Sequence, residues 1–232
     1  MSFEDDLKKE VRSFFRTQWE VTDGKVIPEP DSIGLGNKAK KLDIAILYAD
    51  MAESTNLVDG YKPLYAAEIY KSFLHTCCKI IRRNGGELVS FDGDRIMGAF
   101  IGDGKNSAAA KCALNIKWGI TSIVQSEHDE YYKGKGITIN YSAGIDSGDH
   151  HVIRTGIRGG NDLVWVGKAA NYAAKLSNHN WSPYHSIISN RVYSKLNDGS
   201  KYDGDGKNMW IQEYSNEINE SVYKSSYHWK AT

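Results

Sequence analysis

Residues 44–48, Ile-Ala-Ile-Leu-Tyr, form an almost unbroken apolar run, β-branched at Ile44 and Ile46. A run this short and this apolar suits a strand buried on both faces, and it sets the centre of whatever sheet the chain builds. It ends at Asp50, so a carboxylate is delivered at the rim of a rigid sheet. Met51, Ala52 and Glu53 follow, then Ser54 and Thr55, small hydroxyl residues of the kind that open helices. Strand, acid, tight turn and helix start together offer oxygen ligands for a hard cation and then backbone N–H groups for phosphate. An Asp that merely caps the next helix accounts for the same stretch, so a second acid in a matching place is needed to decide.

That acid lies in a hairpin. Residues 86–91 and 95–100 read as two strands, with Asp92-Gly93-Asp94 between them. An Asp-Gly pair between apolar alternations is a strong hairpin signal, which accounts for Asp92 and leaves Asp94 over. With the hairpin beside the first strand, Asp50 and Asp94 can grip one pair of divalent ions. Two carboxylates sharing divalent ions usually work on a phosphate chain.

The rest of the chain sets bounds. At 232 residues it is long enough for one domain with a substantial core plus an appendage. Its net charge is zero, so nothing points to electrostatic capture of nucleic acid or of an anionic membrane. No apolar run approaches the ~20 residues of a membrane helix, and Phe3-Glu4-Asp5-Asp6 is no signal peptide. Cys77, Cys78 and Cys112, odd in number and without metal spacing, fit a reducing compartment, so a soluble cytoplasmic protein is expected. Phe3, Leu7, Val11, Phe14, Phe15 and Trp19 mark an amphipathic helix over 3–20, either a lid on the core or a strap on a partner subunit. Pro28, Pro30, Gly34 and Gly36 then make a linker, which divides the chain into an N-terminal helix and linker (1–38) and the main domain (39–232).

Tyr65, Ile69, Phe73, Cys77, Ile80 and Ile81 give a helix stripe, ended by Gly85-Gly86. Ala109, Cys112, Ala113, Ile116, Ile120 and Ile123 mark a second helix, and 137–143 alternates as a strand. The adjacent His150 and His151 would point to opposite faces of a strand, a poor geometry for a shared metal. A strand over 163–166 feeds a helix over 168–176, and Trp181-Ser182-Pro183 breaks the pattern. Strands near 187–188, 209–214 and 222–229 and a short helix near 191–196 complete an α+β sheet with helices on one face.

Four stretches in order carry a resemblance: Asp50 in its strand-to-helix turn, Gly93-Asp94 on a hairpin, Ala143-Gly144-Ile145-Asp146-Ser147-Gly148, and Trp165-Val166-Gly167-Lys168-Ala169-Ala170-Asn171. Together they resemble the signatures of the class III nucleotidyl cyclases, over roughly residues 42–178. Gly85-Gly86-Glu87-Leu88 is similar to the diguanylate cyclase signature but lacks its second acid and its position at the turn.

The resemblance implies a ferredoxin-like core with additional strands and helices. It also implies a homodimer with shared active sites that acts on a nucleoside triphosphate with two divalent cations, Mn2+ or Mg2+. Asp50, Asp94 and the Met51 carbonyl would hold the ions, and N–H groups from Ala52, Glu53, Ser54 and Thr55 would hold the leaving pyrophosphate. Asn171 and Lys175 would come from the other subunit, Asn171 orienting the ribose. The family usually has Arg where this chain has Lys175, which keeps the charge but loses the planar fork. A Gly-Phe pair common in the first turn is here Glu53-Ser54, and the Lys for the terminal phosphates matches either Lys224 or Lys230. Purine-reading positions fall on Leu88 and Val164, apolar walls that suit a pyrimidine, with Ser90 able to meet its edge. The chain is thus similar to the bacterial pyrimidine cyclases of phage defence, whose cyclic UMP or cyclic CMP is read by a separate effector. UTP is expected ahead of CTP, because backbone groups match the uracil edge and no acid is placed for the cytosine amino group. An adenylate or guanylate cyclase of unusual selectivity, or an inactive cyclase-homology module, are the alternatives.

Overall fold

A computed structural model describes residues 2–157, 159–178 and 183–231. The 44–48 run lies inside β2 (Lys38–Met51), which follows α1 (Phe3–Arg16) and β1 (Glu20–Asp23). β2 is flanked, antiparallel on both sides, by β4 (Arg95–Ile101) and β5 (Tyr141–Ile157). β3 (Glu87–Asp92) lies outside β4, while β7 (Ser186–Ser189), β9 (Glu220–Ser225) and β8 (Ile211–Ser215) continue the sheet beyond β5. β1 pairs in parallel with the start of β2, and β6 (Gly160–Val166) pairs with the last residues of β5.

Ala45, Leu47, Ala49 and Met51 of β2 join a core built with α3 (Pro63–Arg83) and α4 (Lys105–Gly119). Leu42, Ile44, Ile46 and Tyr48 belong to a second core, closed by Ala170 and Ala173 of α6 (Lys168–Ser177). Helices therefore cover both faces, which corrects the expectation of helices on one. The reason is in β2 itself: a strand apolar at both parities needs a lid on each side. The α3 stripe expected from spacing, Tyr65 to Ile81, is buried throughout.

α4 passes through a π-helical turn at Ile120–Val124 into α5 (Gln125–Tyr131). The strand expected over 137–143 begins only at Tyr141 and then runs on to Ile157. It carries His150 inward and His151 outward, as alternation requires. The buried His150 accepts the Ala170 N–H on Nε2 at 3.0 Å, capping the start of α6, and burial holds its pKa below the ordinary histidine value. α1 ends at Arg16 rather than at residue 20. The stretch expected as linker contributes β1 to the sheet and the buried Ile33 to the core under α6. Trp181 and Ser182, expected to end the helix pattern, lie outside the described residues. Among the described residues no helix is long and apolar enough to cross a membrane, and the three cysteines are free.

Candidate active site

Asp50 stands one residue from the end of β2, paired in register with Arg95 on one side and Ser142 on the other. The β3–β4 turn is Gly93-Asp94, not Asp92-Gly93. Gly93 takes a positive φ of 62° at the first turn position, where a side chain is disfavoured, and this moves Asp92 back into the strand. Asp92 then pairs with Arg95, Oδ2 to Nη2 at 2.8 Å, while Asp94 is left beside Asp50. Burial first, and the Asp94 charge second, push the Asp50 carboxyl up to about 6, with Arg95 opposing. Two hard-oxygen donors whose repulsion the protein leaves standing suit a divalent cation. Met51 buries its side chain in the α3–α4 core, so only its backbone is left for such an ion.

Register decides which other side chains share the Asp50 face. Tyr48 lies two residues before Asp50, in the α6-side core, and the Arg95 guanidinium sits 5.3 Å from its ring centroid. A β-bulge between Leu88 and Ser90 then separates two residues that plain alternation would have placed together. Ser90 pairs with Met97 and shares its face with Tyr48, whereas Leu88 pairs with Gly98 and packs into the α3–α4 core. Leu88 is thus corrected from site wall to core residue. Val164 on β6 is 40% exposed, while its neighbours Leu163 and Trp165 face the α6-side core. Tyr48 and Arg95 join this face without having been expected there from the sequence. Counting back two from Asp50 gives Tyr48, but Arg95 becomes visible only once the turn is known.

The turn after β2 is tighter than expected. Ala52 donates its N–H to the Asn140 carbonyl at 2.9 Å, so that group is already used. Glu53, at φ 58°, is left-handed, the conformation in which the usual Gly is at ease. α2 (Ser54–Gly60) starts directly after it, so the N–H groups of Ser54 and Thr55 have no acceptor within the helix. A cavity of about 320 Å³ opens beside Met51, Ala52, Glu53 and Ser54, walled opposite by residues 136–140.

α6 lies against the sheet at a contact only small residues permit. A Cβ at Gly144 would come within 2.3 Å of the Ala173 carbonyl and 2.5 Å of the Ser177 nitrogen. Asn171 and Lys175 project from α6 into solvent one turn apart, and Lys175 Nζ donates to the Glu217 carbonyl at 3.2 Å. Lys168 and Arg191 hold Glu220 at 3.1 and 2.6 Å, and Arg191 also grips the fully buried Asp146 at 2.7 Å. These partners tie α6 towards β8 and β9, on the opposite edge of the sheet from the β3–β4 hairpin. Within a single chain Lys175 and Lys168 of α6 are thus drawn to the β8–β9 side, beyond β5 from the strand that carries Asp50. Of the two lysines considered for the terminal phosphates, Lys224 pairs with Glu213 and lies 4.3 Å from the Tyr184 ring centroid. Lys230 is exposed, next to Trp229, whose N–H reaches Leu114 on α4.

The sheet and its covering helices define a class III nucleotidyl cyclase fold. A bacterial light-regulated adenylyl cyclase superposes with a TM-score of 0.69 at 19% identity, over 85% of this chain and 54% of that one. The chain thus spans about half the length of that light-regulated enzyme. No family model matches the chain. A uridylate cyclase from Xanthomonas perforans is 42% identical over 99% of both chains, and one from Burkholderia cepacia is 41% identical over the same shares. The chain belongs to this uridylate cyclase family of nucleotidyl cyclases.

Proposed function

We propose that the chain cyclises a pyrimidine nucleoside triphosphate, UTP ahead of CTP, to the 3′,5′-cyclic monophosphate with release of pyrophosphate. The observation that carries this is the meeting of Asp50 and Asp94 at the sheet rim, in a chain 42% identical to a protein named uridylate cyclase. Asp50, Asp94 and the Met51 carbonyl would hold two divalent cations, Mn2+ or Mg2+. When bound, the ions supply Lewis acidity to the 3′-hydroxyl and the phosphate oxygens. The chain's own work is to place groups. The two carboxylates fix where positive charge collects, and the N–H groups of Ser54 and Thr55, in the turn strained at Glu53, meet the departing phosphates. Asn171 from a second copy orients the ribose, and Lys175 offers charge to the α-phosphate as the hydroxyl attacks and the bond to pyrophosphate breaks.

Shared sites in a homodimer are supported by the direction of Lys175, which bonds the Glu217 carbonyl on the far side of β5 from Asp50 within one chain. For the base, the Asp50 face offers Tyr48, Ser90 and Arg95, with Leu88 withdrawn into the α3–α4 core and Val164 left as an exposed apolar group on β6. Polar groups that bond a base reject analogues that leave them unpaired. The product would serve as a cytoplasmic second messenger in antiphage defence, read by a separate effector, in keeping with the pyrimidine cyclases that the sequence resembles. The test is incubation with each of the four NTPs and Mn2+ or Mg2+, with products identified by mass spectrometry. Cyclic UMP as the main product is expected; a profile dominated by cyclic AMP or cyclic GMP overturns the base assignment.

A further inference from the structure

α1 buries none of its residues. Its C-terminal end is nevertheless tied to the body of the chain. Ser2 and Asp5 form a reciprocal capping box at the start. At the other end the buried Asn37 donates from Nδ2 to the carbonyls of Phe14 and Thr17, at 2.8 and 2.7 Å. The helix is therefore an arm anchored at its C-terminal end, where β1 follows and pairs with β2. Along one side run Phe3, Leu7, Val11, Phe14 and Phe15, with Phe3 83% and Phe15 86% exposed. Fourteen residues is close to the limit at which a lone helix is stable in water, and a stripe of this kind is what a covered helix presents.

The charges name the cover. Glu4, Asp5 and Asp6 fill the first turn, and Lys8, Lys9, Arg12 and Arg16 follow with only Glu10 among them. We propose that α1 pairs antiparallel with α1 of a second copy of the chain. A parallel pair would set acids against acids and bases against bases. The antiparallel pair brings each acidic first turn to the other helix's basic end, so both charge groups are matched. With the two-fold axis near Lys9, Leu7 packs on the partner subunit's Val11. Phe3 then packs on the partner subunit's Phe14 and Phe15, and Asp6 faces the partner subunit's Arg12. This surface is separate from the cyclase site, and the proposal does not rest on the substrate reading above.

The test is a disulfide trap in the full-length chain. Phe3→Cys and Phe15→Cys are introduced together in a Cys78→Ser background, since Cys77 and Cys112 are already buried. The two new thiols lie about 18 Å apart along one helix, too far to join within a chain. Mild oxidation should give a covalent dimer from the double variant and none from either single variant. Adding Leu7→Glu should abolish the cross-link. A covalent dimer from the Phe3→Cys variant alone would mean parallel pairing and overturn the proposal. So would no dimer from the double variant, or a cross-link indifferent to Leu7→Glu, and either result would leave the stripe to another surface.

Discussion

The rim at Asp50 and the helix α6 carry the two halves of the proposed site, and they are built on opposite principles. At the rim, polar groups are crowded against one another. Two acids share a corner, Asp50 is pushed up to about 6, and Glu53 sits at a left-handed φ of 58°. Along α6 the interior contacts are small and apolar, with Gly144, Ala170 and Ala173 letting helix and sheet approach closely. There Asn171 and Lys175 lie at the exposed face, Lys175 bonded to the Glu217 carbonyl. The rim stores unfavourable charge and strain that a ligand would relieve, whereas α6 is a relaxed platform holding its groups ready for another surface. One chain thus supplies the problem at one place and the remedy at another, which is the arrangement a pair of chains can close on itself.

The largest effect should come from removing either acid. Asp50→Asn and Asp94→Asn are each expected to lower turnover on the order of 10³-fold or more while leaving the far-UV CD spectrum unchanged. The double variant should be no worse than either single, because the acids act as a unit. Substantial residual turnover in one single variant would remove that acid from the site. Mixing inactive Asp50→Ala and Asn171→Ala proteins should then restore one working site per heterodimer. An inactive mixture, with subunit exchange proven, would break the contrast between rim and platform as halves of one site.

Next in size is the platform itself. Gly144→Ala drives a Cβ into backbone atoms of α6 and should cost about 1–3 kcal/mol in urea unfolding. A loss of turnover larger than the loss of stability would show that α6 must sit in one place for Asn171 and Lys175 to act. Unchanged stability would mean that α6 moves freely over the sheet.

The strain at the rim should show as a pH dependence of the metal-free protein. An acid whose folded pKa lies above its unfolded value weakens the fold when it ionises. For Asp50 that penalty is absent below the unfolded pKa of about 4 and complete above about 6. Asp50→Asn should therefore stabilise the chelator-treated protein at pH 8 by on the order of 1–2 kcal/mol, allowing for solvent screening at a half-buried group. The gain should close by pH 4. A gain of equal size at both ends of the range would remove the charge explanation.

The smallest effect is expected at Glu53. Glu53→Gly relieves a left-handed side chain and should raise the melting temperature by the equivalent of at most about 1 kcal/mol. A fall would show that the Glu53 side chain has a role that its exposed position hides.

Local chemistry was legible in the residue order. The 44–48 run fixed a doubly buried strand, Asp50 fixed an acid at its end, and the α3 stripe was readable from spacing alone, because each depends on periodicity within a few residues. His150 and His151 parted to opposite faces for the same reason. What the order of residues left open was every choice that hangs on a partner strand or a single inserted residue. The bulge between Leu88 and Ser90 shifts a face by one residue, sending Leu88 into the core and Ser90 to the Asp50 face, and a two-residue repeat has no record of such a slip. The positive φ of Gly93 moves the turn and turns Asp92 into a partner for Arg95. Arg191 meets Asp146 only because β7 lies parallel to β5, bringing together residues 45 apart in the chain. Sequence determined which groups the protein owns and the elements they ride on. Only the tertiary structure decided which of them face one another, because pairing register and close approach are set by non-local packing rather than by any residue's own preference.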